Sequence, residues 1–169
     1  MLYICTRYTM ETNSNNFLSG EYECKVDAKG RMSLPFKLKA KLPKESENKV
    51  ILNRGFEPCL VLYSVNEWEK VYTKVAALNE FNEEDRVFQR NFGRGNSELE
   101  LDNLGRIMLP KTLMKHASIE SDVIVIGLGN RMEVWSPAVY EQYLIKDQKE
   151  FSKLAQNVLG TKGEKDKEK

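Results

Sequence analysis

Histidine is almost absent from this chain. His116 is the only one in 169 residues, so a Cys/His or Ser/His catalytic pair has little material to draw on. Cysteine is scarce too. Cys5, Cys24 and Cys59 are odd in number and widely spaced, with no Cys-x-x-Cys and no Cys/His ligand pattern. They support neither a disulfide framework nor a zinc site, and read as reduced, partly buried thiols. No apolar run approaches the roughly 18 residues needed to cross a bilayer, so no membrane partner is expected. The segment Met1 to Gly20 has no basic start followed by a long apolar stretch and no small-residue cleavage site, and does not read as a signal peptide. A cytoplasmic protein is the expectation. An excess of one charge is missing as well: 26 basic side chains stand against 25 acidic ones. The molecule therefore lacks the field of a histone-like binder, and any nucleic-acid site has to be a local patch.

What the chain does contain is the composition of a folded protein, 41% apolar and 30% charged, long enough for one sizeable core or two small intertwined ones. It also contains an internal repeat. Gly20-Glu-Tyr-Glu-Cys-Lys-Val-Asp27-Ala-Lys-Gly30-Arg31-Met-Ser-Leu34-Pro35 aligns without gaps on Gly95-Asn-Ser-Glu-Leu-Glu-Leu-Asp102-Asn-Leu-Gly105-Arg106-Ile-Met-Leu109-Pro110, an offset of 75 residues. Val50-Ile-Leu matches Val123-Ile-Val, and Leu62-Tyr63-Ser64 matches Val134-Trp135-Ser136. The chain is a duplicated unit. The division expected is an N-terminal extension 1–16, a first unit 17–81, a linker helix 82–94, a second unit 95–158, and a disordered charged tail 159–169, whose composition cannot repay the entropy of ordering.

Within each unit the periodicity is legible. Tyr22, Cys24 and Val26 alternate with Glu21, Glu23 and Lys25, the period of a half-buried strand, and Ser97, Leu99 and Leu101 repeat it. Asp27-Ala-Lys-Gly30 and Asp102-Asn-Leu-Gly105 have the acidic opener and closing glycine of a type I turn. Beyond the turn, burying Met32 and Leu34, or Ile107 and Leu109, directs Arg31 and Arg106 outward. Pro35 and Pro110 can each open a short helix, docked by Leu38 and Leu113. Extended segments are expected at Val50 to Leu52 and Cys59 to Tyr63. Ser64-Val-Asn-Glu67 is a capping-box signature before a helix with Trp68, Val71, Tyr72, Val75 and Leu78 on one face. Asn82 to Phe92 reads as a helix joining the units. Ser136 and Pro137 start another, whose apolar stripe predicts continuation through Phe151 and Leu154. Trp68 and Trp135 lie on apolar stripes and are read as core. Gly127-Leu-Gly129-Asn130 lacks the glycine pattern and lysine of a P-loop and is read as a hairpin turn.

The paired Asp-x-x-Gly-Arg-[apolar]-x-Leu-Pro motifs resemble the MraZ family over Phe17 to Leu144. With them go the Leu-Tyr-Ser-x-x-x-Trp and Val-Trp-Ser-x-x-x-Tyr segments behind. The resemblance implies an α+β, β-rich fold of the AbrB-like class: a swapped-hairpin, double-psi-like β-barrel from two repeated β-α-β units with peripheral helices. It also implies a non-enzymatic transcription regulator of the division and cell-wall gene cluster. Such a regulator binds G-rich direct repeats in double-stranded promoter DNA, assembles as a homo-oligomeric ring, and is found in the cytoplasm on the nucleoid. The family's DNA-contacting arginines fall on Arg31 and Arg106, and guanidinium suits guanine O6 and N7. Asp27, Gly30, Asp102 and Gly105 are assigned to shaping the turns. Lys29 and Lys37, with Lys25, Lys39 and Lys41 around them, supply phosphate contacts to the first motif. The second has Leu104 in place of Lys29 and only Lys111, Lys115 and His116 nearby, which argues against equal roles for the two turns. No cofactor, metal or small-molecule substrate is implied. Two rivals remain: a protein-interaction module in which the Asp-Arg pairs are structural, and an enzyme using Asp27 and Asp102 as paired carboxylates. The second is disfavoured because both aspartates occupy turn positions with a local hydrogen-bonding role.

Overall fold

The computed structural model describes residues 17–44 and 48–160. The expected N-terminal extension 1–16, with Cys5, and residues 161–169 of the expected tail lie outside the described residues, whereas Leu159 and Gly160, assigned to that tail, end a helix. Up to Pro137 the chain forms one compact unit, and Ala138–Lys169 forms a second.

The first unit is built from antiparallel strands: β1 (Leu18–Lys25), β2 (Arg31–Ser33), β3 (Lys49–Arg54), β4 (Leu60–Ser64), β5 (Ser97–Glu100), β6 (Arg106–Met108), β7 (Asp122–Gly129) and β8 (Arg131–Trp135). Short helices α1 (Phe36–Lys39) and α4 (Lys111–His116) follow β2 and β6, and α2 (Val65–Ala76) and α3 (Glu83–Gly93) lie between β4 and β5. Six strands form one sheet in the order β1-β7-β8-β4-β3-β5, and β2 pairs with β6 in a separate two-stranded ribbon. Exchanging each strand for its counterpart in the other repeat reads that order backwards, so the sheet has the pseudo-two-fold symmetry of the duplication. The register agrees: Cys24 faces Val123 and, at the equivalent place, Leu99 faces Val50. Each repeat contributes a hairpin, β3–β4 or β7–β8, and the first strand of the other repeat completes it.

The strand exchange is therefore present, but the closed barrel is not. The large sheet ends at β1 on one side and β5 on the other. The turn after β1 is so tight, and β2 so short, that β2 has no ladder with β1; a single bridge, Val26 to Met32, joins it to the residue just past the end of β1. Its ladder is spent on β6 instead. The fold is α+β with an open, antiparallel sheet and a separate ribbon.

Local chemistry explains the elements. Pro35 and Pro110 stand at the N-caps of α1 and α4, just ahead of the first helical residue, and Leu38 and Leu113 are fully buried. Ser64 caps α2, accepting from the Glu67 amide at 3.4 Å, and Asn82 caps α3 through the Glu84 and Asp85 amides. Gly129, at φ 79°, turns the chain from β7 into β8, so the Gly127–Asn130 stretch is a hairpin. Trp68 and Trp135 are buried; Trp68 stacks on Phe92 at 5.7 Å between ring centroids, and the Trp135 indole donates to Glu133 Oε2 at 3.1 Å. Burial raises the Cys24 thiol pKa and pushes that of Cys59 up to about 12, which keeps both as unreactive thiols at neutral pH.

The second unit corrects one expectation. The helix opened by Pro137 does not continue through Phe151: α5 (Pro137–Tyr143) stops, and α6 (Gln148–Gly160) starts afresh. Asp147 decides the break, because its carboxylate accepts from the Lys149 and Glu150 amides at 2.8 and 2.9 Å and so caps a new helix.

The ribbon rests on the core through Met32 and Ile107, cross-strand partners that are both fully buried. Truncating Ile107→Ala leaves a cavity where no side chain can collapse freely, and is expected to cost about 2 to 5 kcal/mol of stability. Urea unfolding of the variant against the parent measures it.

Candidate nucleic-acid interface

Each Asp-x-x-Gly-Arg segment closes on itself in the same way. The Gly30 amide donates to Asp27 O at 2.8 Å and the Asp27 amide to Arg31 O at 2.9 Å; Gly105, Asp102 and Arg106 repeat this at 2.8 and 2.9 Å. Gly30 and Gly105 take φ of 81° and 72°, the left-handed region that glycine adopts without a Cβ penalty. Asp27 Oδ1 accepts from the Lys29 and Arg31 amides, both at 2.9 Å. Asp102 Oδ1 accepts from the Leu104 and Arg106 amides at the same distance. The second carboxylate oxygen holds the arginine. Arg31 Nε and Nη2 both reach Asp27 Oδ2 at 2.7 Å, and Arg106 Nε and Nη2 reach Asp102 Oδ2 at 2.8 and 2.7 Å.

The two turns do not lie apart. The Leu34 amide donates to Gly105 O at 3.1 Å and the Leu109 amide to Gly30 O at 2.8 Å, so each turn is tied to the strand leaving the other. Between them β2 and β6 pair with Arg31 opposite Met108 and Ser33 opposite Arg106. Side chains alternate along a strand, so Met32 and Ile107 fill the buried face while Arg31, Ser33, Arg106 and Met108 share the outer one. Arg31 and Arg106 are diagonal neighbours there, with backbones about 7 to 8 Å apart. Their side chains are 29% and 25% exposed.

Strand exchange also redistributes charge in a way that sequence proximity does not show. An ideal Cβ on Gly105 would lie 2.7 Å from Lys39 Nζ, whereas one on Gly30 would meet Met108 Sδ and Met114 Sδ at 3.7 and 4.0 Å. The lysine of α1 therefore lies over the second turn, and the methionines of the second repeat border the first. The second turn, with Leu104 at its tip, receives a cation from the first repeat. Lys29 and Lys37 are exposed and make no ion pair among the described residues. Lys25 pairs with Asp122 at 3.8 Å and Lys41 donates to Phe17 O at 2.9 Å, so both are partly committed elsewhere. His116 adds no charge at neutral pH, because burial and the nearby Arg54 and Arg94 lower its pKa below the usual imidazole value. Asp85 and Arg86 hold the loop before α3, accepting from the Asn79 amide at 2.9 Å and donating to Glu80 O at 2.9 Å. Among the described residues no His/Cys/Asp/Glu group could hold a metal, and no helix is long and apolar enough to cross a membrane.

Fold and turns together define a duplicated, strand-exchanged α+β protein that presents two matching arginines on one exposed ribbon. Its sequence matches the family model described as MraZ protein twice, over residues 17–91 and 92–161. It is 57% identical over 143 residues to the transcriptional regulator MraZ of Cytophaga hutchinsonii, covering 85% of this chain and 95% of that one. Against the protein of the same name from Thermoanaerobacter sp. it is 39% identical, covering 83% and 96%. Against that from Christiangramia forsetii it is 37% identical, covering 85% and 93%. The chain belongs to the MraZ family, and these three relatives are named as transcriptional regulators.

The carboxylates set the acid limit of the turns. The Arg106 side-chain hydrogen bond, then its amide, lowers the Asp102 pKa to about 2, and the Arg31 amide foremost lowers that of Asp27. A folded pKa below the unfolded value of about 3.9 stabilises the turn wherever the unfolded carboxyl is ionised, and that contribution is lost as pH falls through the folded value. Carboxyl-carbon NMR titration should place the Asp102 midpoint near pH 2, with Arg106 Nε–H remaining protected from exchange at pH 4.

Proposed function

We propose that this chain is a sequence-specific DNA-binding regulator of transcription whose β2–β6 ribbon reads double-stranded DNA through Arg31 and Arg106. The carrying observation is the placement of both guanidiniums on the outer face of one two-stranded ribbon, each oriented by its own aspartate. The major groove of B-DNA admits such a ribbon. A diagonal separation of about 7 to 8 Å is close to two base steps of 3.4 Å. Each Asp–Arg pair engages two of the five N–H donors of the guanidinium and leaves the others for guanine O6 and N7. Because the pair is exposed, its own contribution to stability is small; its effect is to fix where the donors point. Lys29, Lys37 and Lys39 stand by for phosphates, and with Lys39 over the second turn both turns take part.

The relatives' name supports regulation of transcription, and the family resemblance supports the finer reading: G-rich direct repeats before the division and cell-wall gene cluster, met in the cytoplasm on the nucleoid by a homo-oligomeric ring. Copies related by rotation present equivalent turns in one polarity, which suits direct repeats rather than palindromes. Val87 and Phe88 of α3, 44% and 40% exposed, supply apolar surface for such assembly. Nothing in this role requires a cofactor or a reaction.

Fluorescence anisotropy on a labelled duplex from the region upstream of the chain's own gene, against a scrambled duplex over a salt series, tests the reading. Arg31→Ala and Arg106→Ala should each lose about 5- to 150-fold in affinity for the first duplex only. Lys29→Ala should weaken both duplexes alike and flatten the salt dependence by about one phosphate. Equal binding of both duplexes by parent and variants, removed by salt, makes the turns scaffold and favours the interaction-module reading.

A further inference from the structure

The outer face of the ribbon is not symmetric, and the asymmetry lies beside the arginines. Where the first repeat has Lys29 at its turn tip the second has Leu104, 72% exposed; where the first has Ser33 on the ribbon the second has Met108, 51% exposed. Neither is needed by the core, whose ribbon contacts come from Met32 and Ile107. Both are held in place. The Leu104 amide is bonded to Asp102 Oδ1 at 2.9 Å, and Met108 lies opposite Arg31 in the β2–β6 register, with its sulfur over Gly30. Single exposed apolar residues are ordinary on a surface. Here each guanidinium has one: the β2–β6 pairing brings Met108 beside Arg31, and Leu104 stands two residues before Arg106 in its own turn.

We propose that Leu104 and Met108 are specificity-determining residues that seat pyrimidine C5-methyl groups, so that each arginine-read base is read together with a nearby thymine. The inference rests on the DNA-reading function above. Its chemical basis is that the thymine methyl is the one apolar feature on the base edges of the major groove. An apolar side chain set among cations at that edge gains by covering a methyl and gains nothing from an amino or carbonyl group. The two contacts differ in shape, a branched side chain at a turn tip and a thioether on a strand, so the two halves of the site need not be read alike.

Replacing thymines of the preferred duplex one at a time by deoxyuridine removes the methyl and leaves the hydrogen-bonding edge intact. The parent protein should lose about fourfold in affinity at a position read by Leu104 and at one read by Met108, the effect of one buried methyl. Leu104→Ser should abolish sensitivity at the first position alone, and Met108→Ser at the second alone. Both variants should keep the parent's unfolding midpoint, since both side chains are exposed. If the parent distinguishes its duplex from the scrambled one but tolerates every deoxyuridine, or if the serine variants retain the parent's pattern, this inference is wrong and the arginine reading stands. If the parent does not distinguish the duplexes at all, both readings fall.

Discussion

Three residues of each repeat, Arg31–Ser33 and Arg106–Met108, hold the two turns against each other. A strand of three residues has too little ladder to persist alone, and two such strands make a ribbon that is marginal in water. Two constraints secure it. Met32 and Ile107 are completely buried, and the carbonyls of Gly30 and Gly105 accept from the amides of Leu109 and Leu34. The side-chain period along a strand is two, so a slip of one residue would expose Met32 and Ile107 and bury the arginines. Burial of two apolar side chains thus fixes which way four others point.

On that ribbon each aspartate does several things at once. Its Oδ1 satisfies two backbone amides of its own turn, and its Oδ2 holds the guanidinium that follows. The charge-assisted bonds lower the carboxyl pKa, so both aspartates are ionised at any pH at which the chain would meet DNA. The arrangement is local, and duplication has placed it twice. An acid–base pair working across a cleft would require the two carboxylates to share an environment, whereas each here is occupied by its own turn.

The pseudo-two-fold sheet changes how the basic residues combine. With β1 on β7 and β5 on β3, helix α1 of the first repeat serves the second turn and the methionines of the second repeat border the first. Each turn is a composite: Lys29 with Met108 and Met114 at one, Leu104 with Lys39 at the other. A count of lysines along the chain assigns the positive patch to the first motif only. In space the cation and the apolar side chain are distributed one to each arginine.

Features that depend on neighbours a few residues away are legible in the order of residues alone. Asp27 and Gly30 specify their turn because the bonds they make span two to four residues. Ser64 and Asn82 cap their helices for the same reason, and alternation around Tyr22 and Leu99 marks their strands because side-chain direction follows directly from the backbone. The duplication was equally legible, since it is a property of the order of residues. Open sheet rather than closed barrel, the restart of the helix at Asp147, the place of Lys39 over Gly105, and the common face of Arg31 and Arg106 were decided by tertiary structure. Those outcomes turn on which strand a short segment pairs with, and on a single cap outcompeting a continuous apolar stripe. Strand pairing joins residues some 75 positions apart, and its free energy comes from burial of side chains such as Met32 and Ile107 that meet only once the two repeats have exchanged their strands.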